Sequence, residues 1–317
     1  MIKTPHISLK QGKFKEALKN NFSIIGLFLV IMIFAVLTKG KLLKVKNLYN
    51  IFNNLFSIGL GAMGVMFVMS LGELDLSVGA IVGMSSAFAA FAGQANLALI
   101  LPVALLTGLL IGAVNGLTIA YLRVESFIGT LAVSFVVRGL TTWLLNGSVG
   151  IPVSQRVFDQ SFVKIIVFIV VAIVLFALFE LTSYGKHSRA IGSSMEAARQ
   201  SGVKVKKVRM TAFMISGLIC GLIGFFSLVR TCTASSNTGN AFEFDVLLAV
   251  LFGGMPLAGG WAVKFRSAII GALSMAIMSN GMSLMGISGL TQQVIQGIIL
   301  VAIVTISFDR RNALVIK

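Results

Sequence analysis

The sequence predicts an all-α membrane protein, a polytopic transmembrane helical bundle of about ten membrane segments. Of its 317 residues, 57% are hydrophobic and only 11% are charged, whereas soluble domains carry roughly 25% charged residues. Long apolar runs recur along the chain, and the polar stretches between them are short and mostly basic. The chain is therefore predicted to be an integral membrane protein.

The net charge of +16 could also suggest a nucleic-acid partner. A chain that is poor in acids and places its cations between apolar spans fits the positive-inside rule of membrane proteins better. We therefore expect contact with membrane lipid and not with nucleic acid. The two cysteines, Cys220 and Cys232, provide neither a disulfide framework nor a metal-ligand pattern, so we interpret both as packing residues.

One membrane domain accounts for nearly the whole length. Residues 1–21 carry five Lys and one Glu and are predicted to form a cytoplasmic arm. The transmembrane domain covers 22–307 and contains a cytoplasmic loop at 183–209, and 308–317 is predicted to be a cytoplasmic tail. The first apolar run follows a basic region, as in a signal peptide, but lacks a small-x-small cleavage site, so we expect a retained anchor.

Ten apolar segments are visible, which are 22–38, 51–71, 78–94, 97–121, 127–145, 162–181, 210–229, 243–258, 266–286 and 290–307. A helix needs about 20 residues to cross the bilayer, and the last few segments are short and interrupted by glycine. We therefore expect eight to ten crossings, some of them half-helices. With the N-terminus inside, the inner segments hold 18 Lys and Arg and the outer ones 7. The four lysines of 39–50 are the exception to this bias.

Polar residues inside or beside the apolar segments mark a candidate translocation pathway. An ionisable group in lipid is costly unless it faces protein or water. The candidates are Glu73, Asp75, Ser77, Asn115, Arg138, Glu243, Asp245, Asn280 and Gln293. Two simpler interpretations stay open: the amides could only link neighbouring helices, and the first two acids could stabilise the N-terminus of the third segment.

A sequence echo predicts an inverted repeat. Glu73-Leu74-Asp75-Leu76 precedes Asn115-Gly116 by about one helical hairpin, and Glu243-Phe244-Asp245-Val246 stands in the same relation to Asn280-Gly281. The first acidic pair falls at the inner end of its segments and the second at the outer end. Segments two to five would then repeat as segments seven to ten in the opposite orientation, with the pathway between them.

The loop at 183–209 is the longest polar interruption of the chain. Helix-forming residues run from Met195 to Gln200 and stop at Ser201-Gly202, which predicts a short helix with a glycine C-cap. Within it, Glu196, Ala197, Ala198, Arg199 and Gly202 form an E-A-A-x-x-x-G pattern. The simpler interpretation is a solvated basic loop. We favour a helix that docks into a partner protein.

Glycines are too dense for a regular helix at 253–260, where the sequence reads G-G-M-P-L-A-G-G. Irregular backbone at membrane depth is tolerated only against protein or water. This stretch is therefore expected to bend beside the pathway or at its inner mouth.

Four blocks in the same order resemble one known family. They are D-L-S-V-G at 75–79, F-I-x-T-L with a following R-G at 127–131 and 138–139, the E-A-A loop at 190–203, and G-G-x-x-L-x-G-G at 253–260. Together they make the chain similar to the permeases of the ribose/galactose/xylose branch of bacterial ABC sugar importers. It departs from the family at Leu71-Gly72-Glu73, where G-G-I is more usual, which leaves the particular sugar open.

The resemblance implies the partners and the location of the protein. A separate cytoplasmic ATP-binding subunit would supply the energy, an extracytoplasmic substrate-binding protein would deliver the sugar, and two permeases, identical or related, would pair in the bacterial inner membrane. The chain lacks a G-x-x-x-x-G-K-[ST] motif, so ATP and Mg²⁺ are expected on the partner and no cofactor or metal on this chain.

Two other classes of membrane protein share some of these features. An ion-coupled secondary transporter of a small polar solute would share the inverted repeat and the intramembrane acids, but it would not need the E-A-A loop. A membrane-embedded enzyme would need catalytic side chains, and the only histidines, His6 and His187, lie in basic polar stretches. Sugar-binding sites commonly use aromatic rings as a platform, but the tryptophans and tyrosines of this chain fall near the ends of spans. The permease itself is therefore expected to bind its cargo weakly.

Overall fold

The computed structural model describes residues 22–307, and the predicted arm and tail lie outside them. Its α-helices are α1 Phe22–Leu37, α2 Val45–Met69, α3 Val78–Ala95, α4 Ile100–Ala120, α5 Ser126–Leu145, α6 Ser161–Phe176, α7 Ser183–Ser193, α8 Met195–Gln200, α9 Val205–Thr231, α10 Phe242–Phe252, α11 Phe265–Leu284 and α12 Gly289–Ser307. Short 3-10 helices cover Lys41–Leu43, Leu97–Leu99, Val153–Asp159 and Gly260–Ala262, and a π-helical turn, Ala177–Leu181, extends α6. Two strands, β1 Ser148–Gly150 and β2 Thr233–Ser235, pair antiparallel.

All ten apolar segments form helices. In the described part, seven helical stretches are long and apolar enough to cross a membrane, and α1 and α12 are shorter apolar helices. Helix α10 has 11 residues, so at about 1.5 Å per residue it covers only about half of the hydrocarbon core. The predicted all-α polytopic class is confirmed. Of the ten predicted membrane segments, seven are long helices and three, α1, α10 and α12, are shorter.

Several predicted boundaries were wrong. Helix α2 begins at Val45, so most of the predicted loop 39–50 is helical. The helix of the eighth segment ends at Phe252, where the glycine-rich stretch 253–260 begins, and this break was predicted; Gly254 and Gly259 adopt the left-handed region, with φ of +77° and +71°. The polar loop 183–209 contains a second helix, α7, which begins where the Thr182 side chain accepts a hydrogen bond from the backbone N–H of Tyr184.

Helix α9 is the centre of the bundle and packs against α2, α3 and α4. Its closest neighbour is α4, since glycines on both helices let the backbones meet. A Cβ on Gly112 would clash with the carbonyl of Phe213, and one on Gly221 would clash with the carbonyl of Ala104. Small residues at such crossings supply the packing that drives helix association in a bilayer.

The contacts of α2–α5 and α9–α12 mirror each other. Helix α9 packs on α3 and α4, and α2 packs on α10 and α11, while α3 contacts α4 and α5 as α10 contacts α11 and α12. The first helices of the two repeats, α2 and α9, run in opposite directions. The evidence is that Glu73, just after the end of α2, pairs with Arg209 near the start of α9. This is the packing that an inverted repeat requires.

Two helices, α3 and α10, start inside the bundle. Asp75, just before α3, bonds to Ser216, which lies roughly 16 Å along α9 from Val205. On the other side, the chain after β2 returns inwards until α10 begins. A Cβ on Gly79, in the first turn of α3, would clash with the Gly239 carbonyl before α10. The first turns of the two broken helices therefore meet within the membrane.

Candidate functional site: a polar pathway and a docking helix

Glu73 forms a buried ion pair at the end of the bundle that carries α7 and α8. Its carboxylate pairs with the guanidinium of Arg209, and the two side chains are only 7% and 14% exposed. Sequence reasoning selected Glu73 and missed Arg209, which lay in the basic loop and was counted only as an inner charge. The pair joins the start of α3 to the start of α9.

Asp75, Ser77 and Asn115 form one hydrogen-bonded network. Oδ1 of Asp75 accepts from the backbone N–H and the hydroxyl of Ser77 at 3.0 and 2.6 Å. Its Oδ2 accepts from the hydroxyl of Ser216 at 2.9 Å. Nδ2 of Asn115 donates to Oγ of Ser77 at 2.7 Å, and Oδ1 of Asn115 is buried without a hydrogen-bond partner in the described chain. The network stabilises the start of α3, as the simpler interpretation expected, and it leaves an acceptor free.

Arg138 and Glu243 meet where α3 and α10 touch. The guanidinium donates to both oxygens of Glu243, at 3.0 and 2.8 Å, and to the carbonyl of Gly239 at 3.1 Å. Two residues further on, Oδ1 of Asp245 accepts from Nε2 of Gln296 at 2.9 Å. Helices α5 and α12 thus each bind one acid of α10. Gln296 was noted in the sequence as one of three glutamines but was not chosen as a site residue.

Asn280 and Gln293 lie apart from these networks. Oδ1 of Asn280 accepts a hydrogen bond from Nδ2 of Asn47 at 2.7 Å, which links α11 to the start of α2. This is the helix-linking interpretation that the sequence left open. Gln293 is exposed on α12. The structure brings neither residue to the acids of the pathway, so their role in translocation stays a prediction.

Lys164 is a buried cation that the sequence analysis did not select. Its side chain is 2% exposed, its Nζ donates to Oδ1 of Asn53 at 2.7 Å, and it forms an ion pair with Asp159. The Phe56 ring centroid lies 5.8 Å from the ammonium. A lysine inside the apolar segment 162–181 was the signal that could have revealed it.

Helix α8 has defined caps at both ends. The Ser194 hydroxyl accepts from the backbone N–H of Ala197 at 3.3 Å. At the other end Gly202, with φ of +83°, forms a Schellman motif, in which the N–H of Val203 donates to the Ala198 carbonyl at 3.1 Å. The predicted helix 195–200 and its glycine cap are therefore present.

The residues of α8 divide into two faces. Glu196 and Arg199 are 61% and 69% exposed and pair with each other at 2.9 Å, and Ala197 is exposed beside them. Ala198 is 4% exposed and packs into the core of the bundle. The face available to a partner is therefore the one that carries Glu196, Ala197 and Arg199, while Ala198 anchors the helix.

Helix α7 joins α8 to the membrane helices. Arg189 donates to Glu180, at the end of α6, at 2.7 Å and to the Val263 carbonyl at 3.1 Å. The same Glu180 oxygen accepts from the backbone N–H of Phe265, the first residue of α11. The Ser188 hydroxyl bonds to that of Ser70, in the loop that leads to Glu73.

The glycine-rich stretch 253–260 packs against α7. Its backbone is irregular, as predicted, and it lies against protein. The N–H of Gly260 donates to the Ser70 carbonyl at 3.1 Å, and a Cβ on Gly192 of α7 would clash with that same carbonyl. The glycine-rich stretch, the loop before α3 and α7 are therefore packed backbone to backbone.

The family model described as "Branched-chain amino acid transport system / permease component" matches residues 47–304. The chain belongs to this permease family. Among its curated relatives, the permease is 30% identical to the ribose import permease protein RbsC of Bacillus subtilis, over 98% of this chain and 100% of that protein. It is 34% identical to the L-arabinose ABC transporter permease protein AraH of Azospirillum brasilense, over 92% and 89% of the two chains.

A third relative is the xylose transport system permease protein XylH of Haemophilus influenzae, 28% identical over 91% of this chain and 96% of that one. No solved structure matches the permease. The motif resemblance is confirmed: the chain is an ABC-importer-type permease, a multi-pass membrane transport subunit, and the interpretation as an ion-coupled transporter is not supported.

Removing one partner of the Glu73–Arg209 pair should destabilise the permease strongly. Glu73→Ala leaves a buried guanidinium without its carboxylate, which costs about 3–5 kcal/mol. The matched control is Glu196→Ala, which breaks an exposed ion pair worth about 0–1 kcal/mol. In detergent, the melting temperature of Glu73→Ala should be much lower than that of the wild type. The melting temperature of Glu196→Ala should be nearly equal to that of the wild type. Equal melting temperatures for Glu73→Ala and Glu196→Ala would show that the buried pair does not stabilise the permease.

Proposed function

We propose that this permease imports a neutral monosaccharide as the membrane-spanning subunit of an ATP-driven importer in the bacterial inner membrane. Helix α8 carries the proposal. It is a short, doubly capped helix whose Glu196, Ala197 and Arg199 face solvent at one end of the bundle. A helix held this firmly with an exposed polar face suits docking into a cleft of a partner, here a cytoplasmic ATP-binding subunit.

Movement of α8 has a physical route to the membrane helices. Helix α7 is bonded through Arg189 to the end of α6 and to the segment before α11, and through Ser188 to the loop that leads to Glu73. An ATPase that shifts α8 and α7 would therefore displace the starts of α3 and α11. Of these two helices, α3 lies in the first half of the repeat and α11 in the second.

The remaining partners follow from this orientation. With α8 in the cytoplasm, the strands β1 and β2 lie at the extracytoplasmic end, where a substrate-binding protein would deliver the sugar. Both termini would be cytoplasmic. Two copies, or this chain and a related permease, would enclose one pathway, and ATP and Mg²⁺ would be bound by the ATPase and not by this chain.

The charges around the Asp75 network and the Arg138–Glu243 pair favour a neutral cargo over an amino acid. The cations Arg138 and Arg209 are each paired with an acid, so neither is free to bind a carboxylate. What remains are hydroxyl and amide groups such as those of Ser77 and Asn115. These groups suit the hydroxyls of a sugar, in agreement with the names of the relatives and not with the amino acids of the family description.

Reconstitution tests the proposal. The permease, its ATPase and its binding protein in proteoliposomes should accumulate labelled pentose or hexose only with ATP, and vanadate should stop import. A panel of ribose, arabinose, xylose, galactose and leucine separates the cargo classes. Import of leucine and of no sugar would contradict the proposed cargo, and import driven by an ion gradient without ATP would contradict the proposed energy source.

A further inference from the structure

A cavity of about 120 Å³ lies where α2, α3, α6 and α9 meet the segment that begins α10. It is at the end of the bundle opposite α8, because its lining includes Arg230 from the last turn of α9. The cavity has room for about four water molecules. It is separate from the Asp75 network, none of whose residues lines it.

Aromatic rings form one wall of this cavity. Phe56, Phe226 and Phe242 line it, and the first two pack edge to face with centroids 4.7 Å apart. From the sequence, the permease was expected to lack an aromatic platform for a sugar, and that expectation was based on the tryptophans and tyrosines alone. Helix packing has brought three phenylalanines together instead.

Three polar groups on the lining have no hydrogen-bond partner among the described residues. They are the guanidinium of Arg230, which is exposed at the mouth of the cavity, and the hydroxyls of the half-buried Ser57 and Ser227. The nearby acids do not neutralise the arginine, since Asp159 pairs with Lys164 and Glu243 pairs with Arg138. The cavity therefore combines an apolar face with free donors and acceptors.

We propose that this cavity is a subsite for the cargo during transit, which takes the hydroxyl-bearing edge of a neutral monosaccharide. The half-buried ring of Phe242 would face the C–H groups of the sugar, while Phe56 and Phe226 are buried, and Arg230, Ser57 and Ser227 would bond to its hydroxyls. Lys164 is paired with Asp159, whereas Arg230 is a cation of the described lining without an acid, so an anion is the competing occupant. The inference rests on the proposed function and adds a site to it.

The subsite acts on the rate of transfer and holds the cargo weakly. A cavity of this volume surrounds only part of a ring, so most of the sugar stays in contact with water or with the binding protein. Weak binding of free sugar by the isolated permease is therefore still expected.

The first experiment measures import against the concentration of sugar-loaded binding protein for Arg230→Gln. Loss of a hydrogen bond from a charged donor should lower the maximal rate about 10-fold, with the half-saturating concentration of binding protein unchanged. Arg156→Gln is the control, because Arg156 is exposed on the 3-10 helix Val153–Asp159 at the same end and does not line the cavity. Its maximal rate should equal that of the wild type.

Either of two results would overturn the subsite. One is an unchanged maximal rate in Arg230→Gln. The other is a raised half-saturating concentration alone, which would make Arg230 a contact for the binding protein. A wild type that imports no sugar at all would refute the proposed function itself, so the two failures can be told apart.

A second experiment does not depend on the arginine variant. Ser227→Cys is introduced after replacing the buried Cys220 and Cys232 by alanine, and an impermeant maleimide is added from outside. Concentrated cargo sugar should slow the labelling of the new thiol, whereas sulfate should not. Protection by sulfate alone would assign the cavity to an anion, and equal labelling with and without sugar would show that the sugar does not enter it.

Discussion

Glu196→Lys combined with Ala197→Trp is expected to abolish ATP-dependent import while the permease stays folded in the membrane. The lysine reverses the charge of an exposed acid, and the tryptophan places a large ring on the same free face of α8. Disruption of a central interface contact costs about 2 kcal/mol or more, and two such changes together should lower coupling at least about 100-fold. Ala198 is a poor choice for this test because its side chain faces the bundle.

The measurement is ATP hydrolysis stimulated by loaded binding protein, together with co-purification of the ATPase. Glu125→Lys with Leu122→Trp is the matched control, since both side chains are exposed in the turn between α4 and α5, at the same end of the bundle as α8 but on a different segment. That control should retain stimulation and co-purification. Normal stimulation in the α8 variant would refute α8 as the docking helix.

Gly79→Val is expected to remove both stability and transport. A side chain at this position of α3 would collide with the Gly239 carbonyl, the Glu243 carboxylate and the Arg138 guanidinium. Overpacking of a tight site costs typically about 1–3 kcal/mol, and here one of the obstacles is backbone, which cannot rotate away. The two broken helices would have to separate, so the Arg138–Glu243 pair would be lost as well.

Melting temperature in detergent and import in proteoliposomes report the two effects of Gly79→Val. Gly26→Ala is the control, because no atom lies within 4 Å of the position that its Cβ would take on α1. Alanine also favours a helix over glycine by about 1 kcal/mol, so this variant should be at least as stable as the wild type. A Gly79→Val protein with wild-type stability and import would show that α3 and α10 do not meet as described.

Local signals in the sequence were sufficient for the class, for most of the helices and for α8. Hydrophobic run lengths and the basic loops identified the spans, and Ser201-Gly202 after 195–200 predicted the glycine C-cap that the structure contains. The N-cap, Ser194, was not predicted. Such features depend on neighbours within about one helical turn. The same reasoning failed at α7, a polar helix whose stability depends on packing against Ser70 and Glu180.

The partners of the pathway acids were decided by tertiary structure. Glu73 pairs with a residue 136 positions away, and Arg138 binds Glu243 across 105 positions. Nothing local distinguishes Arg209 from the other cations of its loop, and Gln296 and Gln293 differ only in the face of α12 that they occupy. A buried polar group takes whichever partner the packed helices bring within hydrogen-bond distance, so the sequence by itself determined where polar groups enter the membrane, and helix packing determined which of them meet.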